Sequence, residues 1–287
     1  MSKLLVFGSG GQVGRAIENT LSNDAEITLA PRSVVDITNT DAVEACVAVA
    51  KPDYVINAAA FTNVDAAQIS FDEAQAVNAA GAGNVAAVCE QRGIKLIHIS
   101  TDHVFRGDSS VPYTEESDCF PVNIYGLTKL TGEDQVTFSA PSALIVRTSW
   151  VYSQWGSNFL SSILGQIAAG KPLYVVDDQF GTPTSAVCLA RALWALRDKH
   201  GIVHFSNEGV ASKYDVAVTI VEELRKAKVP NSDSAVVRPI RTIDGIAKRP
   251  RFTVLDKSLA RRTIDYIEHW QTPLRQTIQT MYGVLDG

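Results

Sequence analysis

Along the first half of the chain, short runs of apolar and β-branched residues alternate with longer stretches whose apolar positions recur at helical spacing. Leu4 to Phe7 reads as a buried strand, Gly11 to Leu21 as a helix, Glu26 to Ala30 as a second strand and Asp41 to Ala50 as a second helix. Asp53 to Asn57 is a third strand, one long helix is expected over residues 71–92 with its C-cap at Gly93, and Lys95 to Ile99 is a fourth strand. A loop over 107–118, a helix carrying Tyr125 and Lys129 toward Val136, and a strand from Ala143 to Arg147 complete this half. Strands joined through helices predict an α/β fold built on a doubly wound parallel sheet of Rossmann type. Beyond Trp150 the alternation loosens, through Pro172, a loop at 177–183 and a polar stretch at 230–234. The expected organisation is a sheet domain over 1–150, to which some later segments return. Residues 151–287 then form mainly a smaller C-terminal substrate-binding domain that stops extending the sheet and covers its cleft.

Composition narrows the setting. At 287 residues and 46% hydrophobic the chain can bury a sizeable core. A net charge of -5 advertises no basic surface, so nucleic acid is not an expected partner. The four cysteines lie far apart without a C-x-x-C pair, which suits free thiols in a reducing compartment. The opening apolar stretch is too short for a signal or a membrane span, and the expected location is cytoplasmic, with no membrane partner. Five scattered histidines give no paired ligand spacing, so no metal site is expected. Monomer and homodimer both remain open.

Two local patterns carry chemistry. The first is Gly8-x-x-Gly11-Gln12-Val13-Gly14, which follows a strand and opens a helix. There, backbone N–H groups and a helix N-terminus can face a pyrophosphate without side chains in the way; a tight turn with no ligand is the bland alternative. The small residues of Asn57-Ala58-Ala59-Ala60 would let the same ligand lie close to the backbone. The second strand ends without a carboxylate, so Arg32 with Ser33 suits a 2′-phosphate and favours NADPH. Asp36 and Ile37 are placed beside the adenine, although Asp36 could reach a ribose if NADH were used. A solvated Arg32 and a turn-forming Asp36 compete equally with these roles.

The second pattern is Tyr125 and Lys129, one helical turn apart, downstream of Ser100-Thr101. Eight tyrosines and 26 basic residues produce about one such spacing by chance, so placement rather than spacing carries the weight. A free phenol has a pKa near 10 and would need a downward shift of about two to three units to exchange protons freely at pH 7. In this reading Lys129 supplies part of that shift and holds the nicotinamide ribose, Thr101 bonds the substrate oxygen, and Tyr125 protonates it.

Several motifs in order carry a resemblance over nearly the whole chain. They are the glycine loop, Asn57-Ala58-Ala59-Ala60-x-Thr62-x-Val64-Asp65, Ser100-Thr101-Asp102-x-Val104-Phe105, Tyr125-Gly126-x-Thr128-Lys129, Arg147-Thr148-Ser149-Trp150-Val151-Tyr152, Asp178-Gln179-Phe180-Gly181-x-Pro183-Thr184 and Arg249-Pro250. The chain resembles the dTDP-4-dehydrorhamnose reductase family, in the extended branch of the short-chain dehydrogenases/reductases. The resemblance implies an NAD(P)H-dependent oxidoreductase that reduces the 4-keto group of a dTDP-linked 6-deoxy-4-ketohexose to dTDP-L-rhamnose. Thr101, Tyr125 and Lys129 would be its catalytic set, with Val64, His103 and Trp150 around the sugar. Arg249, with Arg251, would meet the diphosphate. His103 stands where the family usually has tyrosine, and Ala66-Ala67-Gln68 where it often reads Lys-Ala-Glu, so the identity of the sugar is less firmly implied than hydride transfer. Related dehydratases place a glutamate at the His103 position. A 4-epimerase needs only the tyrosine and lysine, and a non-catalytic NADP-binding subunit, like the methionine adenosyltransferase beta subunit, belongs to a different class of alternative.

Overall fold

The structure is a computed structural model that describes residues 1–242 and 245–283. The chain runs β1 (Ser2–Phe7), α1 (Gln12–Leu21), β2 (Ala25–Ala30), α2 (Thr40–Ala50), β3 (Tyr54–Asn57), α3 (Val64–Ile69) and α4 (Phe71–Gln75). A π-helical segment (Ala76–Gly81) leads into α5 (Ala82–Gln91), β4 (Lys95–Thr101), α6 (Ile124–Ser139), β5 (Leu144–Thr148), β6 (Val151–Tyr152) and α7 (Phe159–Ala168). Then come β7 (Leu173–Val176), β8 (Phe180–Gly181), β9 (Thr184–Ser185), α8 (Ala186–Leu196) and β10 (Gly201–His204). The chain closes with β11 (Ala211–Ser212), α9 (Lys213–Lys226), β12 (Val237–Ile240) and α10 (Gln271–Tyr282).

Six strands form one sheet in the order β2-β1-β3-β4-β5-β10, every pair parallel. Helices cover both faces, which is why Leu4, Leu5, Val6 and Phe7 are all buried rather than alternately so. On one face Ile17 and Leu21 of α1 meet Leu189 and Leu193 of α8. On the other, Val43 and Val47 of α2 pack with Val85 and Val88 of α5 and Val136 of α6. The fold is a doubly wound Rossmann-type α/β sheet. Its strand order reverses between β1 and β3, the place where such sheets bind ligands.

Two expectations need correction. The single long helix over 71–92 is interrupted by the π segment, because Asn78 is buried and turned to other work. Its amide donates to the Phe61 carbonyl at 3.1 Å and to the Thr128 hydroxyl at 3.0 Å, and its Oδ1 accepts from the Phe61 N–H at 2.8 Å. The C-terminal part also does extend the sheet: after β9 the chain returns through α8 and adds β10 against β5, with Val203 opposite Val146. Outside that return, a separate core of Tyr152, Leu160, Ile163, Ile220, Trp270 and Leu274 joins α7, α9 and α10. Three two-stranded pairings, β6 with β9, β7 with β12 and β8 with β11, tie this layer together beside the carboxyl ends of the main strands.

Candidate active site

The glycine loop follows β1 directly. Gly8 sits at φ +72, and a Cβ there would lie 2.5 Å from the Ala59 nitrogen. A Cβ on Gly14 would lie 2.3 Å from the Ser9 Cα. Any side chain at either place would push the loop off β3 or off its own helix. No side chain caps α1, whose N-terminus opens at Gly11. A bare helix N-terminus on a side-chain-free loop at the switch point fits the pyrophosphate of a dinucleotide.

One cavity of about 800 Å³ runs from this loop to the C-terminal layer. Gly8, Gly11, Gln12 and Val13 line one end with Arg32, Asp36 and Ile37; Ala58, Ala59 and Ala60 form a wall; Thr101, Tyr125 and Lys129 lie further along, and Val64, His103, Trp150 and Arg249 beyond them. Two proposed contacts stand behind the wall instead. Gly14 packs on Ser9, and the Asn57 side chain holds the Ala59 N–H at 3.1 Å and His98 Nδ1 at 3.2 Å. Arg32 is largely solvated and lies 3.9 Å from Asp36 and 3.6 Å from Glu73. Asp36 is a turn former, accepting from the Thr38 N–H at 3.0 Å and its hydroxyl at 2.8 Å, which hold its pKa below the usual carboxylate range. Gln12 reaches across the cleft, donating to the Val151 carbonyl at 3.3 Å.

The electrostatics of the central residues differ from the sequence expectation. Burial pushes the Tyr125 phenol up to about 12; a hydrogen bond with Thr101 pulls the other way, and the Asp102 charge adds to the rise. Lys129 does not offset this. It is 2% exposed, donates to the Ile99 carbonyl at 2.7 Å and lies 3.2 Å from His98 Nε2. Burial brings it down to about 8, with Glu133 opposing. The phenol is therefore held protonated at neutral pH, the state a proton donor needs in a reduction. His103 is no neutral-pH titrator either, because burial pushes its pKa down. Asn123 fixes its tautomer. The amide Oδ1 accepts from the Gly126 N–H at 2.8 Å, so Nδ2 is the group 3.1 Å from His103 Nδ1 and donates to it. The imidazole then carries its proton on Nε2, with its ring edge-on to Tyr125 at 5.3 Å.

Trp150 ends the β5 turn at φ +46, a left-handed conformation that costs a bulky residue strain and is concentrated at functional sites. Its ring carries the Lys213 ammonium 3.4 Å from the centroid, an interaction with no signal in the sequence. Burial lowers Lys213 to about 7, against the opposing charge of Asp102. Arg249 is not a free cation. Its guanidinium closes on Asp65 in a two-point pair at 2.7 and 2.9 Å and also donates to the Ala247 carbonyl at 2.6 Å, which leaves it poorly placed to take a diphosphate as well. Sequence reading missed Lys213, His98 and Asn78, none of which belongs to a spaced motif.

A family model described as the RmlD substrate binding domain matches residues 2–282. A dTDP-4-dehydrorhamnose reductase from Mycolicibacterium smegmatis is 38% identical, covering 98% of this chain and 86% of that one. A dTDP-4-keto-6-deoxy-D-glucose reductase from Streptomyces niveus is 37% identical over 95% of both chains. A crystal structure of dTDP-4-dehydrorhamnose reductase from Bacillus anthracis, in complex with NADP, superposes with a TM-score of 0.90 at 31% identity, covering 98% of this chain and 100% of that one. The loop at the switch point, the Thr101, Tyr125 and Lys129 cluster and these likenesses agree, and the chain belongs to the dTDP-4-dehydrorhamnose reductase family.

Proposed function

We propose that this chain is an NAD(P)H-dependent oxidoreductase that reduces the 4-keto group of a nucleotide-linked 6-deoxy-4-ketohexose, with dTDP-4-dehydro-L-rhamnose to dTDP-L-rhamnose as the leading case. The observation that carries the reading is one continuous cavity from the side-chain-free loop at Gly8 and Gly11 to the Thr101 and Tyr125 hydroxyls. The reduced nicotinamide, when bound, supplies the hydride. The bare N-terminus of α1 would hold its pyrophosphate, Arg32 would meet the 2′-phosphate of NADPH, and Lys129, bonded to the Ile99 carbonyl, would hold the nicotinamide ribose. Thr101 orients the ketone oxygen. Tyr125, protonated at rest, gives its proton to that oxygen as the alkoxide forms. The uncharged His103 N–H, Val64 and Trp150 shape the sugar end.

Residues 151–287, less the return through α8 and β10, act in this reading as the substrate-binding part. Among the described residues no helix is long and apolar enough to cross a membrane, and the site of action proposed is the cytoplasm. The test is a panel of dTDP-, UDP- and GDP-linked 4-keto sugars with NADPH and NADH, following nicotinamide absorbance and identifying the sugar formed. Stoichiometric cofactor oxidation supports reduction. Sugar isomerisation with no net oxidation would reassign the chain as an epimerase, and cofactor binding with no turnover on any sugar would make it a non-catalytic subunit.

A further inference from the structure

Lys129 has a buried neighbour with no part in the proton and hydride steps. His98, in the middle of β4, is fully buried, with Nδ1 3.2 Å from the Asn57 amide nitrogen and Nε2 3.2 Å from the lysine nitrogen. The nitrogen of that ring that carries the proton is fixed from the Asn57 side. The Ala59 N–H is a backbone donor and can only donate; it bonds Asn57 Oδ1 at 3.1 Å, which leaves Asn57 Nδ2 facing the ring. An amide nitrogen donates, so His98 Nδ1 accepts and the ring proton sits on Nε2. That N–H points at Lys129.

The two protonation states of the lysine answer it differently. A neutral amine has one lone pair and two N–H groups, so it accepts from His98 Nε2–H and donates to the Ile99 carbonyl at 2.7 Å. An ammonium has three donors and no lone pair, and in the same place sets donor against donor. Protonating His98 as well gives no relief, because burial and the Lys129 charge hold its pKa well below the ordinary histidine value. Glu133, one turn on along α6, favours the ammonium and is shared with Arg147 of β5. Tyr125, one turn back, stays protonated. In the turn after β4, Asp102 accepts from Thr101; the π segment packed on α6 brings the uncharged Asn78 to Thr128; and α3 and α4 keep Asp65 on Arg249 and Glu73 on Arg32.

We propose that His98 is a positioning residue that gives Lys129 two settings: as an amine it docks on His98 Nε2–H, and as an ammonium it leaves that contact and turns its donors into the cavity, where a bound dinucleotide offers ribose hydroxyls. Binding the nucleotide therefore draws a proton from solvent onto Lys129. His98 does not line the cavity and acts only through the lysine. The proposal rests on the reductase reading above in taking a nicotinamide dinucleotide as the ligand.

The experiment has two arms. In the first, 15N spectra of histidine-labelled protein without nucleotide read the His98 ring, its signals assigned by their loss in His98→Gln. A proton on Nε2 is the expected result, and a proton on Nδ1 overturns the proposal. In the second, NADPH is titrated calorimetrically at about pH 8.5 in two buffers of different ionisation enthalpy, which counts the protons taken up; the 2′-phosphate is fully ionised there. With Lys129 titrating at about 8 in the empty site, about three-quarters of the lysines start neutral, so the wild type should take up roughly 0.5 to 0.7 proton per nucleotide. Asn57→Asp sets a carboxylate against both the Ala59 N–H and His98 Nδ1. The ring proton then moves to Nδ1, Nε2 accepts from the ammonium, and uptake should fall below about 0.2 proton. His98→Gln, whose amide can turn its oxygen to Lys129, should fall likewise without adding a charge, and it decides if the aspartate variant does not fold. Wild-type uptake retained in the variants overturns the proposal. If no nucleotide binds, the reductase reading fails, and the ring spectra still decide whether His98 donates to Lys129.

Discussion

Replacing Glu133 by glutamine removes one negative charge from beneath the site while keeping its size. Glu133 and Arg147 are each 3% exposed, with Arg147 Nε 3.0 and 3.1 Å from the two carboxylate oxygens and Nη2 2.6 Å from one of them. The Ser100 hydroxyl donates to the same carboxylate. Burial alone would push the guanidinium's pKa down, and the hydrogen bonds and charge of Glu133 turn the balance upward. Breaking a buried pair by removing one partner costs about 3 to 5 kcal/mol, because the survivor is left charged and uncompensated. Glutamine keeps one acceptor oxygen, so the loss should fall near the lower end, about 3 kcal/mol, or roughly 5 °C in Tm for a chain of this size. The same change has a second readout. Glu133 lies one turn beyond Lys129 and holds its pKa up against burial, so the variant's lysine should release its proton below the wild-type value of about 8. Urea titration with an unchanged slope measures the first effect, and the pH dependence of cofactor binding the second. A Tm loss under about 2 °C together with an unmoved Lys129 titration would refute the argument that this pair carries both duties.

Tyr125→Phe should lower turnover at least about a hundredfold with cofactor affinity nearly intact, checked by steady-state rates and nucleotide fluorescence; retained turnover removes Tyr125 from the chemistry. Lys129, drawn by burial from the ordinary lysine value of 10.5 to about 8, is penalised in the folded state while charged. That cost, about 3 kcal/mol, is present in full below pH 8 and relieved as pH rises toward the unfolded value, so stability measured against Lys129→Met should rise over that window. Arg32→Ala should reduce kcat/KM for NADPH about tenfold and leave NADH within about twofold, and equal wild-type constants for the two would remove the role given to Arg32. Gly14→Ala should abolish nucleotide binding in a titration, since its Cβ has only 2.3 Å to the Ser9 Cα.

What the sequence made legible was whatever depends on neighbours along the chain. A strand, three spaced glycines and a helix define the nucleotide loop locally, and one helical turn joins Tyr125 to Lys129. What it hid depends on burial or on distant partners. Spacing placed an ammonium near a phenol but could not give the dielectric around them, and burial reverses the expected direction of the Tyr125 shift. Arg249 offered itself as a free cation until the fold brought Asp65 against it. Lys213 sits in an unremarkable helical start, and only the turn at Trp150 makes it part of the cavity. The π segment at Asn78 answers to Phe61 and Thr128, neither of them close in sequence.

The late return of β10 sets an order on synthesis. Until Gly201–His204 has left the ribosome, Leu144 to Arg147 present a bare row of backbone donors and acceptors on an apolar strand, a template for sticking to any other extended chain. A fragment cut after residue 150 would keep that edge and lose α8, whose Leu189 and Leu193 cover Ile17 and Leu21 of α1. Such a piece should aggregate rather than survive as a nucleotide-binding module, and during translation the nascent chain needs its last strand, or a chaperone, to cover the gap.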